Sequence, residues 1–421
     1  MKLKRICIGT VAIMLVVTIA GTADAVDLTP IEQLGKNLFF DKISDPDSMA
    51  CADCHGPQVG FTGPNAGINK HGAVYRGAVP QRFGNRKPPS AAYATLSPIF
   101  HYDMDEGLFV GGNFWDGRAT GETLGNPAAD QALGPFLNPV EQNNPSKQAV
   151  CEQVASSKYA KLFEGVWGPG SLDCSMEGVD NMYDKIGLSI AAYEGSNEVN
   201  QFSSKFDAYL AGNAMLTVEE AWGMELFEGK AMCSACHISQ PGPNGEPPLF
   251  TDFTFDNLGV PRNPENPFYM MDMVFLDDGS AINPEGMAWV DPGLGGFLET
   301  RMEWQNMASD NMGKHKVPTL RNVDKRPDGK ILGKEFPKAY AHNGYFKSLE
   351  SIVHFYNTRD VKYMCPDPFT TEKDAMKMNC WPVPEIPENV NVDELGDLGL
   401  TPEEEDAIVA FMKTLSDGYQ Q

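Results

Sequence analysis

A mainly α-helical chain, built from two tandem units with long loops, is predicted by three observations. The first is an internal repeat: Leu28-Thr29-Pro30-Ile31-Glu32 … Gly35 … Leu38-Phe39 recurs as Leu216-Thr217-Val218-Glu219-Glu220 … Gly223 … Leu226-Phe227. The second is that each copy opens with Thr followed three residues later by Glu, a capping box that starts a helix. The third is that each copy runs into C-x-x-C-H, as Cys51-Ala52-Asp53-Cys54-His55 and Cys233-Ser234-Ala235-Cys236-His237. A lone C-x-x-C is open to zinc, a redox dithiol or haem. Two copies that both end in His, in an exported chain, point to c-type haem: the thiols add to the vinyl groups and the histidine supplies the proximal iron ligand. Each unit therefore reads as a cytochrome c-type haem domain.

The elements follow in order. Residues 1–25 read as a secretory signal peptide: Lys2, Lys4 and Arg5 are its basic region, Ile6 to Gly21 its apolar run, and Ala23-Asp24-Ala25 its cleavage site. An uncleaved anchor is the alternative, for which the apolar run is short. The first domain is expected over 26–205 and the second over 206–421, with the boundary near 200–212. Segments 56–113 and 238–316 are rich in Gly and Pro and poor in periodicity, so both read as loop. Loops this long wrap around something, and a haem is something to wrap. Near the C-terminus, Leu400-Thr401-Pro402-Glu403-Glu404 is a third capping box, with Pro402 at the first helical position, and Ala407-Ile408-Val409 … Phe411-Met412 … Leu415 continues it as an amphipathic final helix.

Of the nine cysteines, Cys7 goes with the leader and four attach haem. The remaining four form two locally spaced pairs, Cys151 with Cys174 and Cys365 with Cys380. In an oxidising compartment they are expected as disulfides. Removing the leader leaves 30 basic residues against 56 acidic ones, a net charge of about −26. Such a surface argues against nucleic acid and anionic membrane. The protein is expected in the periplasm, where c-type haems are attached.

What two haems do depends on the ligand opposite each histidine. Two closed irons make an electron carrier, whereas one open iron makes a catalyst. Here a family resemblance enters. Asn113-Phe114-Trp115-Asp116-Gly117-Arg118-Ala119, followed by Gln131-Ala132-Leu133-Gly134-Pro135 … Asn138-Pro139-Val140-Glu141, resembles motifs of the bacterial dihaem cytochrome c peroxidases and the related MauG enzymes. So do Phe250-Thr251-Asp252-Phe253 … Asn257-Leu258-Gly259-Val260-Pro261, Val317-Pro318-Thr319-Leu320-Arg321-Asn322, and Ala341-His342-Asn343-Gly344 … Ser348-Leu349-Glu350. The resemblance runs in order over nearly the whole mature chain.

It implies a high-spin peroxide site at the haem on His55, with Glu141 and Gln131 on its distal side and Pro135 filling space over the iron. Peroxide cleavage asks for a carboxylate that moves a proton from the near to the far oxygen. Trp115 would lie between the haems as an electron or hole relay. In the peroxidases a methionine stands fourteen residues after the A-H-N-G-type histidine and closes the second haem. Counting from His342 lands on Tyr356, and no methionine lies in that helix. This is similar to the Tyr-ligated, MauG- or MbnH-like branch. A phenolate favours oxidised iron, whereas a thioether favours the ferrous state. The second haem would then share the oxidising equivalents of the first, as a high-valent pair that takes electrons from a partner protein.

His71 stands where the peroxidases carry a reversible distal histidine; with Tyr356 present it is expected to be a loop residue. His101, His315 and His354 read as structural or exposed. The family's interdomain calcium uses an Asn where Lys87 stands here, with carbonyls on a turn that corresponds to Pro337 and Ala339. An ammonium in an oxygen-ligand site puts calcium in question and can stand in its place. Methionine is abundant at 20 residues, including Met270-Met271-Met273. These read either as filling or as a copper-handling or partner-docking patch. The MbnH-like group, to which the chain is similar, acts on copper-related partner proteins.

The expectation is thus a periplasmic dihaem enzyme that uses hydrogen peroxide to oxidise a residue, Trp foremost, of a partner protein, with cell-surface association open. A cytochrome c peroxidase fed by a small cytochrome or cupredoxin is the first alternative. A non-enzymatic dihaem carrier is the second.

Overall fold

Three helices begin where the Thr-x-x-Glu boxes put them: Pro30–Phe40, Val218–Glu228 and Pro402–Lys413. In each, the Glu carboxylate accepts the cap residue's own backbone N–H, over 2.6 Å at Thr29, 2.7 Å at Thr217 and 2.8 Å at Thr401. The computed structural model describes residues 27–276, 279–327 and 336–420. The expected leader lies outside the described residues.

Twelve α-helices and three small two-stranded sheets are present among the described residues, so the fold is mainly α. The repeated glycine explains how each unit closes. The helix Pro30–Phe40 crosses the sixteen-residue helix Val179–Glu194, and Gly35 lies at the crossing: a Cβ there would sit 1.8 Å from the Ser189 carbonyl oxygen. Val218–Glu228 crosses Pro402–Lys413 in the same way, with a Cβ on Gly223 falling 1.8 Å from the Ala407 oxygen. Only hydrogen in place of a side chain allows the backbones so close. The helix Val179–Glu194 was not legible in advance, because it starts after Gly178 with no side-chain cap.

The two largest buried clusters divide along the chain. One is drawn from residues 34–199, including Leu34, Leu38, Phe136 and Ile186. The other is drawn from 206–415, including Phe206, Phe227, Phe250 and Phe411. Cys151 with Cys174 and Cys365 with Cys380 are disulfides, each closing a local loop.

Segments 56–113 and 238–316 are largely irregular, with short exceptions. The first contains the helix Ala66–Lys70 and the hairpin of His101–Asp103 with Leu108–Val110. The second contains the helix Gly293–Glu299 and the pair Val274–Phe275 with Ala281–Ile282. A further pairing of Phe255–Asp256 with His315–Lys316 draws the ends of the second loop together beside Trp115, whose carbonyl accepts from Lys316 N at 2.8 Å.

Candidate active site

Each C-x-x-C-H motif folds as one tight turn, Cys51–Asp53 and Cys233–Ala235, after the helix that precedes it. The histidine is then oriented by a backbone carbonyl. His55 Nδ1 lies 3.1 Å from the Phe61 oxygen, and His237 Nδ1 lies 2.9 Å from the Phe250 oxygen. Donation from Nδ1–H fixes the tautomer and leaves Nε2 as the free lone pair, the arrangement that holds an iron ligand. Both phenylalanines adopt left-handed backbone, φ 55° and 54°, which is uncommon for a bulky residue and turns each carbonyl back toward its histidine. Each is followed by a threonine whose hydroxyl pins the loop to a distant carbonyl, Thr62 to Pro88 and Thr251 to Val317, both at 2.7 Å. The Phe-Thr pair thus belongs to the internal repeat, a signal that sequence reading passed over on the first-domain side.

Burial lowers the tendency of both histidines to protonate. Burial also pushes Cys51, Cys233 and Cys236 up to about 12, so the free thiols stay protonated at neutral pH. Each Cys-Cys-His set faces its own large cavity. Two thiols and one preoriented imidazole on an apolar cavity wall fit a haem c in both places.

Gln131, Pro135 and Glu141 line the first cavity, together with His55. The helix Pro127–Leu137 presents Gln131 and Pro135 one turn apart on one face. Glu141 follows on the loop, held by Asn138 Nδ2 at 2.7 Å from Oε2. Burial raises the Glu141 pKa, opposed by the nearby Arg118 guanidinium and by the Asn138 hydrogen bond. Sequence reading missed a second buried acid on this wall, Glu194, which burial pushes up to about 8.

A common partition separates the two cavities, contributed by Lys87, Pro89, Ser90, Trp115, Lys316 and Thr319. Trp115 is buried, and its indole N–H donates to the Lys87 carbonyl at 2.8 Å. Tyr356, on the helix Leu349–Thr358, lines the second cavity with His237. Burial raises the Tyr356 pKa, and the cavity thiols add to that rise. Met232 and Met412 line the same cavity from other elements.

His71 caps the short helix Ala66–Lys70 and pairs with Glu265 at 3.1 Å, away from the residues that line the first cavity. His101 is exposed. His354 pairs with Glu405 at 3.0 Å. His315, its side chain 10% exposed, stacks on His342 with ring centroids 3.5 Å apart and 5° between planes. Lys87 Nζ donates to Thr62 Oγ1 and the Pro88 carbonyl. The ammonium inside a cage of carbonyls is that of Lys338, which donates to Val59 at 3.0 Å, Asn322 at 3.1 Å and Lys325 at 2.9 Å. Pro337 and Ala339 flank it in sequence. Of the methionine run, Met271 is buried while Met270 and Met273 are exposed.

The profile of the di-haem cytochrome c peroxidase family matches residues 30–215. Over its length the chain is similar to the methylamine utilization protein MauG of Paracoccus denitrificans, at 32% identity covering 99% of this chain and 96% of that protein. A cytochrome-c peroxidase of Denitromonas iodatirespirans is 25% identical, covering 94% and 83%. Among solved structures, the diheme peroxidase BthA of Burkholderia thailandensis superposes with a TM-score of 0.72 at 28% identity, covering 93% of this chain and 87% of that one.

Proposed function

The chain belongs to the di-haem cytochrome c peroxidase/MauG family, and on that premise we propose that it uses hydrogen peroxide to oxidise a residue, tryptophan foremost, of a partner protein. It is a haem-peroxidase-type oxidoreductase with hydrogen peroxide as acceptor. Its cofactors are haem c. Cys51, Cys54 and His55 would hold one in an N-terminal domain over 26–205. Cys233, Cys236 and His237 would hold the other over 206–421, with Tyr356 as a further protein ligand to it. When bound, the two haems supply peroxide reduction and store the oxidising equivalents.

The remaining work falls to side chains. Glu141, one oxygen tied to Asn138, has its other oxygen available to carry a proton from the near to the far oxygen of peroxide. Its raised pKa brings it nearer to neutrality, where taking and returning a proton are both feasible. Gln131 orients the peroxide from the helix, and Pro135, which has no donor, keeps the space above the first haem free of a competing ligand. Trp115, in the wall common to both cavities, carries charge between them.

The observation that carries this reading is Tyr356 on the second cavity, in a helix without methionine. A phenolic ligand disfavours a waiting ferrous haem and favours sharing oxidising equivalents. A second reading, a peroxidase drawing electrons from a small cytochrome or cupredoxin, has Met412 in its favour, a thioether on the same cavity wall. We also infer export to the periplasm from the leader; no helix among the described residues is long and apolar enough to cross a membrane. The exposed Met270 and Met273 make a copper-related protein one specific candidate for the partner.

The test is optical and magnetic. Peroxide added to the fully oxidised holoprotein should yield a long-lived, doubly oxidised state without prior reduction, and Tyr356→Phe should abolish the low-spin signal of the second haem. A need for prior half-reduction, or an unchanged signal in Tyr356→Phe, selects the second reading.

A further inference from the structure

The wall of the second cavity carries a redox-capable pair that peroxide cleavage does not use. Glu385 lies on that wall, its side chain only 4% exposed. Its Oε1 accepts the Tyr269 phenol at 3.1 Å, while its Oε2 is buried without a hydrogen-bond partner, 3.9 Å from His342 Nε2. An orphaned buried carboxylate oxygen carries an uncompensated desolvation cost, so the position asks for a reason. A metal ion shared by Asp291, His315 and His342 does not supply one. The two imidazoles are parallel, so their lone pairs run side by side rather than converge. Asp291 is also already held by Arg86 through both oxygens, at 2.7 and 2.6 Å.

Tyr269 is itself buried, and the far side of its ring faces Trp289. Its ring centroid is 6.1 Å from that of Trp289, which is part-exposed between the exposed Met287 and Val290. On the inner side, His342 lies 6.5 Å from Trp115, centroid to centroid. A line of side chains therefore runs from the partition between the cavities to the surface, through Trp115, His342, Glu385, Tyr269 and Trp289. The Arg262 guanidinium lies 3.7 Å over the Tyr269 ring. A cation there makes loss of an electron alone costly, so the phenolic proton has to leave with it, and Glu385 is the acceptor in contact.

We propose that Tyr269 and Glu385 form a proton-coupled exit that carries oxidising equivalents from the second cavity to Trp289 at the surface. The proposal rests on the function given above and names where those equivalents leave. In each passage Tyr269 gives one electron inward to the centre that peroxide has oxidised, its O–H bond breaks, and the proton goes to Glu385 Oε1. Trp289 then returns an electron to the tyrosyl, and Glu385 returns the proton. Trp289 is refilled by the partner's side chain. Two passages reduce one hydrogen peroxide, with two protons, to two waters.

The experiment follows the diferric holoenzyme after peroxide addition, without partner, by rapid-freeze EPR and optical decay. Wild type should show a protein radical whose line shape narrows with ring-deuterated tyrosine. Tyr269→Phe keeps the ring and the Arg262 contact; it should lose that signal and slow decay of the oxidised state by about tenfold. Glu385→Gln should do likewise and abolish the solvent deuterium effect on decay. Trp289→Phe should lengthen the tyrosyl lifetime. Resting haem spectra identical to wild type certify folding of each variant. Unchanged decay and radical in Tyr269→Phe overturn the exit while leaving the proposed function standing; no doubly oxidised state in wild type overturns both.

Discussion

Glu141 is the side chain on which the proposed peroxide site turns, and its setting makes that role testable. Burial favours its neutral form, whereas Asn138 and Arg118 favour its anion. These opposed influences leave a net upward shift from the ordinary value of 4.5. Glu141→Gln keeps shape and volume but removes the titrating group, so the rate of peroxide cleavage should fall by about 10²–10⁴-fold while both haem spectra persist. Stopped-flow measurement at neutral pH checks this, and a wild-type rate in the variant would remove Glu141 from the mechanism. The sign with pH follows from the shift: acidification protonates a raised carboxyl early, so the wild-type rate should begin to fall above pH 4.5. Glu141 was legible only through its motif. Nothing in the residues 138–141 taken alone says that their loop folds over a cavity.

At the scale of elements, the two helix crossings define each unit. Gly223→Ala forces a methyl against the Ala407 carbonyl, a contact of 1.8 Å before relaxation. It should destabilise the protein by about 1–3 kcal/mol, seen as a lower thermal midpoint. Gly165 is the internal control: it lies within the helix Ala160–Trp167, and a Cβ there meets nothing within 4 Å. Gly165→Ala should therefore stabilise by about 0.4–1 kcal/mol. Equal effects from the two substitutions would mean that helix propensity, and not the crossing, governs both. The repeat showed both glycines in advance, because the same packing demand recurs at the same register. Their partner in the first unit stayed hidden, since Val179–Glu194 opens without the Thr-x-x-Glu signature.

Across the whole molecule, Arg86 is a buried tie between segments some 200 residues apart. It bonds Asp116 at 2.5 Å beside the first cavity and grips Asp291 next to the stacked histidines. Arg86→Leu would leave two buried carboxylates with their main counter-charge removed, and should cost about 3–5 kcal/mol. Denaturation should also lose a pH dependence that wild type carries, in a defined sense. Both aspartates are held below 3.8, burial working against the larger pull of Arg86 and its neighbours. Depressed carboxyls contribute stability that is fully present above the unfolded value and is lost as pH falls through the folded one. Wild type should thus keep this contribution at pH 5, and Arg86→Leu should already lack it there. A flat difference between pH 7 and pH 3 would refute the tie.

The two C-x-x-C-H turns, helix starts, the local disulfides and a tyrosine at the fourteenth position after His342 could all be read from the chain itself. Each is written in residues a few positions apart, where covalent geometry and i to i+3 hydrogen bonds leave little choice. The shared wall around Trp115, the stacking of His315 on His342, the carbonyl cage of Lys338 and the contact of Tyr269 with Glu385 emerged only in three dimensions. They join residues as much as 279 positions apart, and no local pattern encodes such a meeting. It is decided when two apolar cores close and long loops find buried partners for every polar group they carry inside.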